Sequence, residues 1–208
     1  MASAELIPIV VEREGRIERS YDIYSRLLKD RIIFIGDEIN SRLSNVVIAQ
    51  LLYLANDDRK AEIQIYINSP GGSVYSGMGV YDTMQYISCP IATYVVGAAA
   101  SMGAVLFAAG TPGRRFVLPH SRIMIHQPLG GAQGAATDIK IEIDEMMRTQ
   151  KQLYNVMAKH TGRTLEQITE DCDRNNWMDA EECIEYGLGD QLIESMSADG
   201  GPHSLKTT

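Results

Sequence analysis

From Thr83 to Gly113 the chain carries no charged residue, and Ile91 to Ala109 within it is almost wholly apolar. Such a run must be buried, either in a bilayer or inside a globular domain. The punctuation decides between the two. Pro90, Gly97, Ser101, Gly103 and Gly110 interrupt the run, β-branched residues fill its first half and alanine its second. A bilayer demands one helix of about 20 apolar residues, whereas this pattern predicts a buried strand, a glycine turn and a buried helix.

The neighbouring segments repeat the unit. Arg31 to Gly36 reads as a strand, and Leu43, Val46, Val47, Gln50, Leu51 and Leu54 then recur at helical spacing. Ile63 to Ile67 is the next strand, followed by Asn68-Ser-Pro-Gly-Gly72 and a helix through Met78, Tyr81, Met84 and Ile87. Together with the strand Ile91–Val96 and the helix Ser101–Ala109, this β-α-β-α-β-α order predicts an α/β fold with right-handed crossovers and a largely parallel sheet.

The second half changes character. Arg115–Leu118 and Arg122–Ile125 are short strands, and residues 127–134 are too glycine-rich for a helix. A long helix is expected from Thr137 to His160, stopped by Gly162, with Ile139, Ile143, Met146, Met147, Leu153, Tyr154 and Met157 on one side. Thr164-x-x-Gln167 has capping-box form and opens another helix, and Asp179 starts a further one. No linker composition or repeat divides the chain, so one domain is expected over 21–195, with an N-terminal segment 1–20 and a loose tail over 196–208.

Composition excludes several function classes. The net charge is −8 and the Lys and Arg residues do not cluster, which argues against nucleic acid or an anionic membrane as partner. Three cysteines without a C-x-x-C, and no secretory leader, predict a thiol-bearing cytoplasmic protein. The four histidines are scattered and no H-E-x-x-H occurs, so no metal site is expected.

Three segments can carry chemistry. Ser101, in Gly97-Ala-Ala-Ala-Ser-Met-Gly103, follows a strand and begins a helix. A serine there lies beside unpaired backbone N–H groups and the positive helix end, which suits a nucleophile; a simple N-cap is the plain alternative. Ala99 stands where the hydrolase elbow G-x-S-x-G has its first glycine. His126 ends an apolar strand, where it either faces a site or packs as a core histidine. Gly71 and Gly72 let the backbone approach a ligand, as an oxyanion hole or a tight turn. No P-loop is present, and Asp82 occupies the third-glycine place of a dinucleotide fingerprint.

Several blocks in one order resemble the proteolytic subunit of the ATP-dependent Clp protease. They are Tyr21-Asp-Ile-Tyr-Ser-Arg-Leu-Leu28, Tyr66-Ile-Asn-Ser-Pro-Gly-Gly72, Tyr81-Asp-Thr-Met84, Ala99-Ala-Ser-Met-Gly103, Met124-Ile-His-Gln-Pro128, Gly134-x-x-Thr-Asp-Ile139 and Glu185-Tyr-Gly-Leu188. The resemblance runs collinearly from about Leu6 to Ile193. It implies a Clp protease/crotonase-type fold of repeated β-α units with a protruding strand-helix handle over 127–160. It further implies Ser101 as nucleophile, His126 as general base, and the backbone N–H groups of Gly72 and Met102 as oxyanion hole.

The family's triad aspartate aligns with Asn175, in Glu170-Asp-Cys-Asp-Arg-Asn-Asn176. An amide can orient the imidazole but cannot neutralise imidazolium, so a weakened triad is expected, with Asp171 or Asp173 as substitutes if the register differs. The resemblance also implies two stacked seven-membered rings, homomeric or mixed with a paralogue, enclosing the sites. Asp173 and Arg174 match the ring-to-ring charged pair. ATP would be used by a separate AAA+ unfoldase rather than bound here, and unfolded proteins would be the substrates. Tyr66 and Leu188 match the family's docking positions for that partner, although each also reads as core. The rival readings are a crotonase-type acyl-CoA enzyme, against which the Ser101/His126 pair speaks, and a structural ring subunit beside an active paralogue, suggested by Asn175.

Overall fold

The charge-free run folds as a strand, β5 (Ile91–Ala100), that turns at once into a short helix, α4 (Met102–Ala108), every residue of which is buried. A computed structural model describes residues 7–15, 17–196 and 202–204. Among these residues no helix is long and apolar enough to cross a membrane. The preceding units are β3 (Ile32–Ile35), α2 (Ser41–Asp57), β4 (Ile63–Ser69) and α3 (Val74–Tyr86). After them come β6 (Arg115–Val117), β7 (Arg122–Ile125), α5 (Ala136–Thr161), α6 (Leu165–Asp171), β8 (Asn176–Met178), α7 (Ala180–Tyr186) and β9 (Gln191–Met196).

Strands β3, β4, β5, β6 and β9 pair in parallel in the spatial order 9-6-5-4-3, as the repeated β-α units require. Alternate residues of β4 (Ile63, Ile65, Ile67) lie in the same core as Leu51, Leu54 and Val80 of the flanking helices and Leu106 and Phe107 of α4. Each such side chain contributes about 1.5–3 kcal/mol on burial.

One bend places the chemistry. Gly97 has φ 88°, and the halves of β5 on either side of it pair with different strands. Thr93–Val95 lie beside β6, whereas Ala98–Ala100 lie beside β7 in parallel register. A Cβ at residue 97 would come within 2.8 Å of Asn68 Oδ1, which accepts from the Ala98 N–H. Glycine thus serves both the left-handed conformation and the close approach.

Arg115 is buried and locks the far end of the sheet. Its Nε and Nη2 donate to the two Asp190 carboxylate oxygens at 2.9 and 2.6 Å, and Nη1 donates to the carbonyls of His160 and Gly187. Arg115→Met leaves the shielded Asp190 carboxylate with the backbone N–H of residue 115 in place of three donors, and takes away the donor that two carbonyls share. It is expected to cost about 3–5 kcal/mol, read as a lower urea midpoint at matched oligomeric state. A loss under about 1 kcal/mol would mean the pair behaves as an exposed one.

The predicted capping box forms between Thr164 and Gln167, and the helix expected to start at Asp179 does so with a capping box of its own, to Glu182. Other features were not read from the sequence. The N-terminal segment contains a hairpin, β1 (Ile9–Glu14) with β2 (Ile17–Asp22), followed by α1 (Ile23–Lys29). Of the tail expected to be loose, the described residues Pro202–Ser204 form β10, which pairs antiparallel with the edge strand β9 and so satisfies backbone groups left open there. Between β7 and α5 no strand forms among the described residues: after the Gln127 N–H bond to the Cys172 carbonyl, no further backbone hydrogen bond pairs 128–134 with a neighbouring segment. Leu188 is fully buried in the main core, so its side chain lines no docking surface.

Candidate active site

Register aligns three strand ends. Ala100 of β5 is opposite Met124 of β7, and the Ser101 N–H donates to the Met124 carbonyl at 2.8 Å. On the other side of β7, Ile125 is opposite Asn176 of β8 in antiparallel register. One residue beyond the paired positions, the first strand presents Ser101, the second His126 and the third Asn175. Residues far apart in sequence therefore meet through backbone pairing alone.

Ser101 has φ 53° and ψ −121°, a region that non-glycine residues rarely enter. The plain N-cap reading fails here: Ser101 occupies the cap position, but its side chain makes no capping hydrogen bond. The strain is held in place by the bond to Met124 and by the Ser101 carbonyl, which accepts from Ala104 N–H at 3.0 Å. Strained residues of this kind concentrate at functional sites because they aim a side chain away from regular structure.

The Gly71-Gly72 turn packs against the start of α4. A Cβ on Gly71 would lie 2.7 Å from Ser101 Cβ and 3.1 Å from the Met102 nitrogen. A Cβ on Gly72 would run into the Ile39 backbone. Ile39 holds the turn by donating to the Gly71 carbonyl and accepting from the Ser73 N–H, both at 2.7 Å. The N–H groups of Gly72 and of Met102, the first residue of α4, make no hydrogen bond among the described residues. They remain available to an anionic oxygen.

His126 Nδ1 lies 3.1 Å from Asn175 Oδ1. A carbonyl oxygen can only accept, so this contact requires the ring proton on Nδ1 and leaves Nε2 with a free lone pair. No hydrogen bond closes directly between Ser101 and His126 among the described residues, although both line one apolar pocket. Such bonds commonly tighten only around bound substrate. The pocket wall is formed by Val74, Met102, Val105, Ile125, Leu153, Tyr154 and Met157, with Cys172 behind, its thiol pushed up to about 12 by burial.

Neither nearby aspartate substitutes for Asn175. The Asp171 carboxylate accepts from Tyr186 Oη at 2.8 Å, and Asp173 Oδ2 lies 3.7 Å from Arg174 Nε. Asp173 and Arg174 are exposed. Tyr66 is stacked between Phe34 and Tyr94, with ring centroids 5.4 and 4.5 Å away, and Phe116 continues the row. Sequence reasoning missed the packing role of Gly71, the pocket wall and the contacts of Gln127. Each depends on long-range pairing, and only the adjacency of Gln127 to His126 offered a signal.

What this register assembles is the chemistry of a serine hydrolase: a half-buried, strained serine lining a pocket, an imidazole with its free nitrogen set by a partner, and unpaired N–H donors. The family model for Clp protease matches residues 15–196. The chain is 55% identical over 194 residues to ATP-dependent Clp protease proteolytic subunit 1 of Salinibacter ruber (strain DSM 13855 / M31), an alignment covering 93% of this chain and 83% of that relative. The chain belongs to the Clp protease family and is a serine peptidase. Neither the acyl-CoA reading nor the purely structural one is favoured by these matches.

Proposed function

We propose that this chain is the proteolytic component of an ATP-dependent protease in which Ser101 attacks the peptide carbonyl. His126 Nε2 takes the hydroxyl proton and later gives it to the leaving amine. The N–H groups of Gly72 and Met102 receive the tetrahedral oxyanion, and water then releases the acyl-enzyme by the same route in reverse. Asn175 holds the productive tautomer. The observation that carries this reading is the strand register, which sets Ser101, His126 and Asn175 at adjacent ends of β5, β7 and β8. The apolar pocket beside Ser101 suits an aliphatic or aromatic side chain next to the cleaved bond.

Assembly into two stacked heptameric rings is supported by α5, whose first half exposes Ile141, Ile143 and Met147 while its second half buries Leu153, Tyr154 and Met157. An apolar stripe of this size needs a cover. Asp173 and Arg174 are exposed for a contact between rings, and the Tyr66 aromatic row offers a docking surface for a separate AAA+ unfoldase. ATP is then spent on unfolding by that partner, and this chain needs no cofactor of its own. Three buried free cysteines suit a reducing cytoplasm.

The assembled protein is expected to cleave short fluorogenic peptides without nucleotide, and to degrade a stable folded protein only with the unfoldase and ATP. Degradation of that folded protein by the isolated chain would overturn the enclosed-chamber reading.

A further inference from the structure

Gln127 follows His126 directly and holds one loop at two points. Its backbone N–H donates to the Cys172 carbonyl at 2.5 Å, and its side-chain Nε2 donates to the Asp173 carbonyl at 2.6 Å. That loop ends in Asn175, whose Oδ1 meets His126 Nδ1. The regular pairing of β7 with β8 stops at Ile125 opposite Asn176. Beyond that point Gln127 is the tie between the histidine strand and the loop. The Tyr186 Oη bond to Asp171 and the Cys172 side chain in the main core anchor the start of the loop, before Asp173, and do not reach Asn175.

We propose that Gln127 is a positioning residue for the reaction, holding Asn175 in register with His126, and that the side-chain bond matters because residue 175 is neutral. The inference rests on the triad reading above. A carboxylate would hold the imidazolium by charge as well as geometry, and charge-assisted hydrogen bonds are about twice as strong as neutral ones. The Asn175 side chain is exposed and makes no second hydrogen bond among the described residues, so nothing else fixes its amide. A flipped amide would point Nδ2 at the ring and favour the unproductive tautomer. Alignment must therefore come from the loop, and Gln127 supplies it.

A double-mutant cycle with Gln127→Ala and Asn175→Asp, read on a fluorogenic peptide, tests this. Gln127→Ala is expected to lower kcat by about 10- to 100-fold, the range for a misplaced catalytic group, with KM nearly unchanged. Labelling of Ser101 by a fluorophosphonate should slow in parallel. In the Asn175→Asp background the loss should be several-fold smaller. Gln127→Met keeps the side-chain bulk and the backbone bond, and it is read instead should the alanine protein fail to assemble. Equal losses in both backgrounds, a change confined to KM, or no loss would overturn the proposal. Asn175→Ala separates the two levels. If it lowers kcat while the Gln127 variants do not, the positioning role alone falls; if Asn175→Ala is neutral, the triad reading falls with it.

Discussion

Ser101→Ala protein is expected to lose at least about 10⁴ in kcat on short peptides, since removing the nucleophile of a serine protease disables the unit its triad forms. The fold should survive. Ser101 makes no side-chain capping bond, and its backbone ties to Met124 and Ala104 do not involve the hydroxyl. Alanine inherits the positive φ without adding bulk, so any stability change is confined to strain already present. Peptide hydrolysis is measured on assembled protein purified free of the wild type. A rate within about tenfold of wild type, a barrier change of only 1.4 kcal/mol, would remove Ser101 from the mechanism.

Asn175→Asp should raise turnover, and the gain should appear in kcat rather than KM because the added charge acts on the imidazolium that forms in the transition state. The ceiling is set by the reverse change in a serine protease, about 10⁴. The gain should fall below that ceiling, because Asn175 Oδ1 already meets Nδ1 and so already selects the productive tautomer. Asp171→Asn and Asp173→Asn should have minor effects on kcat, since those carboxylates are held by Tyr186 and beside Arg174 respectively. A drop in kcat for either, with Asn175→Asp silent, would assign the charge elsewhere. Steady-state kinetics on one fluorogenic peptide across the three variants decide the matter.

Much of this is legible in the sequence. The charge-free run declared a buried strand and helix because Pro90, Gly97, Ser101, Gly103 and Gly110 break it too often for one spanning helix. The helix starts at Thr164 and Asp179 were legible because capping boxes are local chemistry. What stayed hidden depends on contacts distant in sequence. Nothing local says that β5 changes partners at Gly97, although that bend brings Ser101 beside β7. The N-terminal hairpin was missed because its strands are rich in charge, Glu12, Arg13, Glu18 and Arg19 among them. Leu188 read equally as docking residue or core, and only tertiary packing distinguishes them. Asn175 could be aligned from the sequence, but whether its amide or a neighbouring carboxylate reaches the ring depends on the β7–β8 register, which sequence alone leaves open.

The most direct test of the central claim is the site of covalent labelling. Assembled wild-type protein is treated with a fluorophosphonate, digested, and the adduct located by tandem mass spectrometry. The account predicts one adduct per chain, on Ser101, formed much more slowly in His126→Ala protein. An adduct on Ser69, Ser73 or Ser76 instead, or labelling of Ser101 at an unchanged rate without His126, would contradict it.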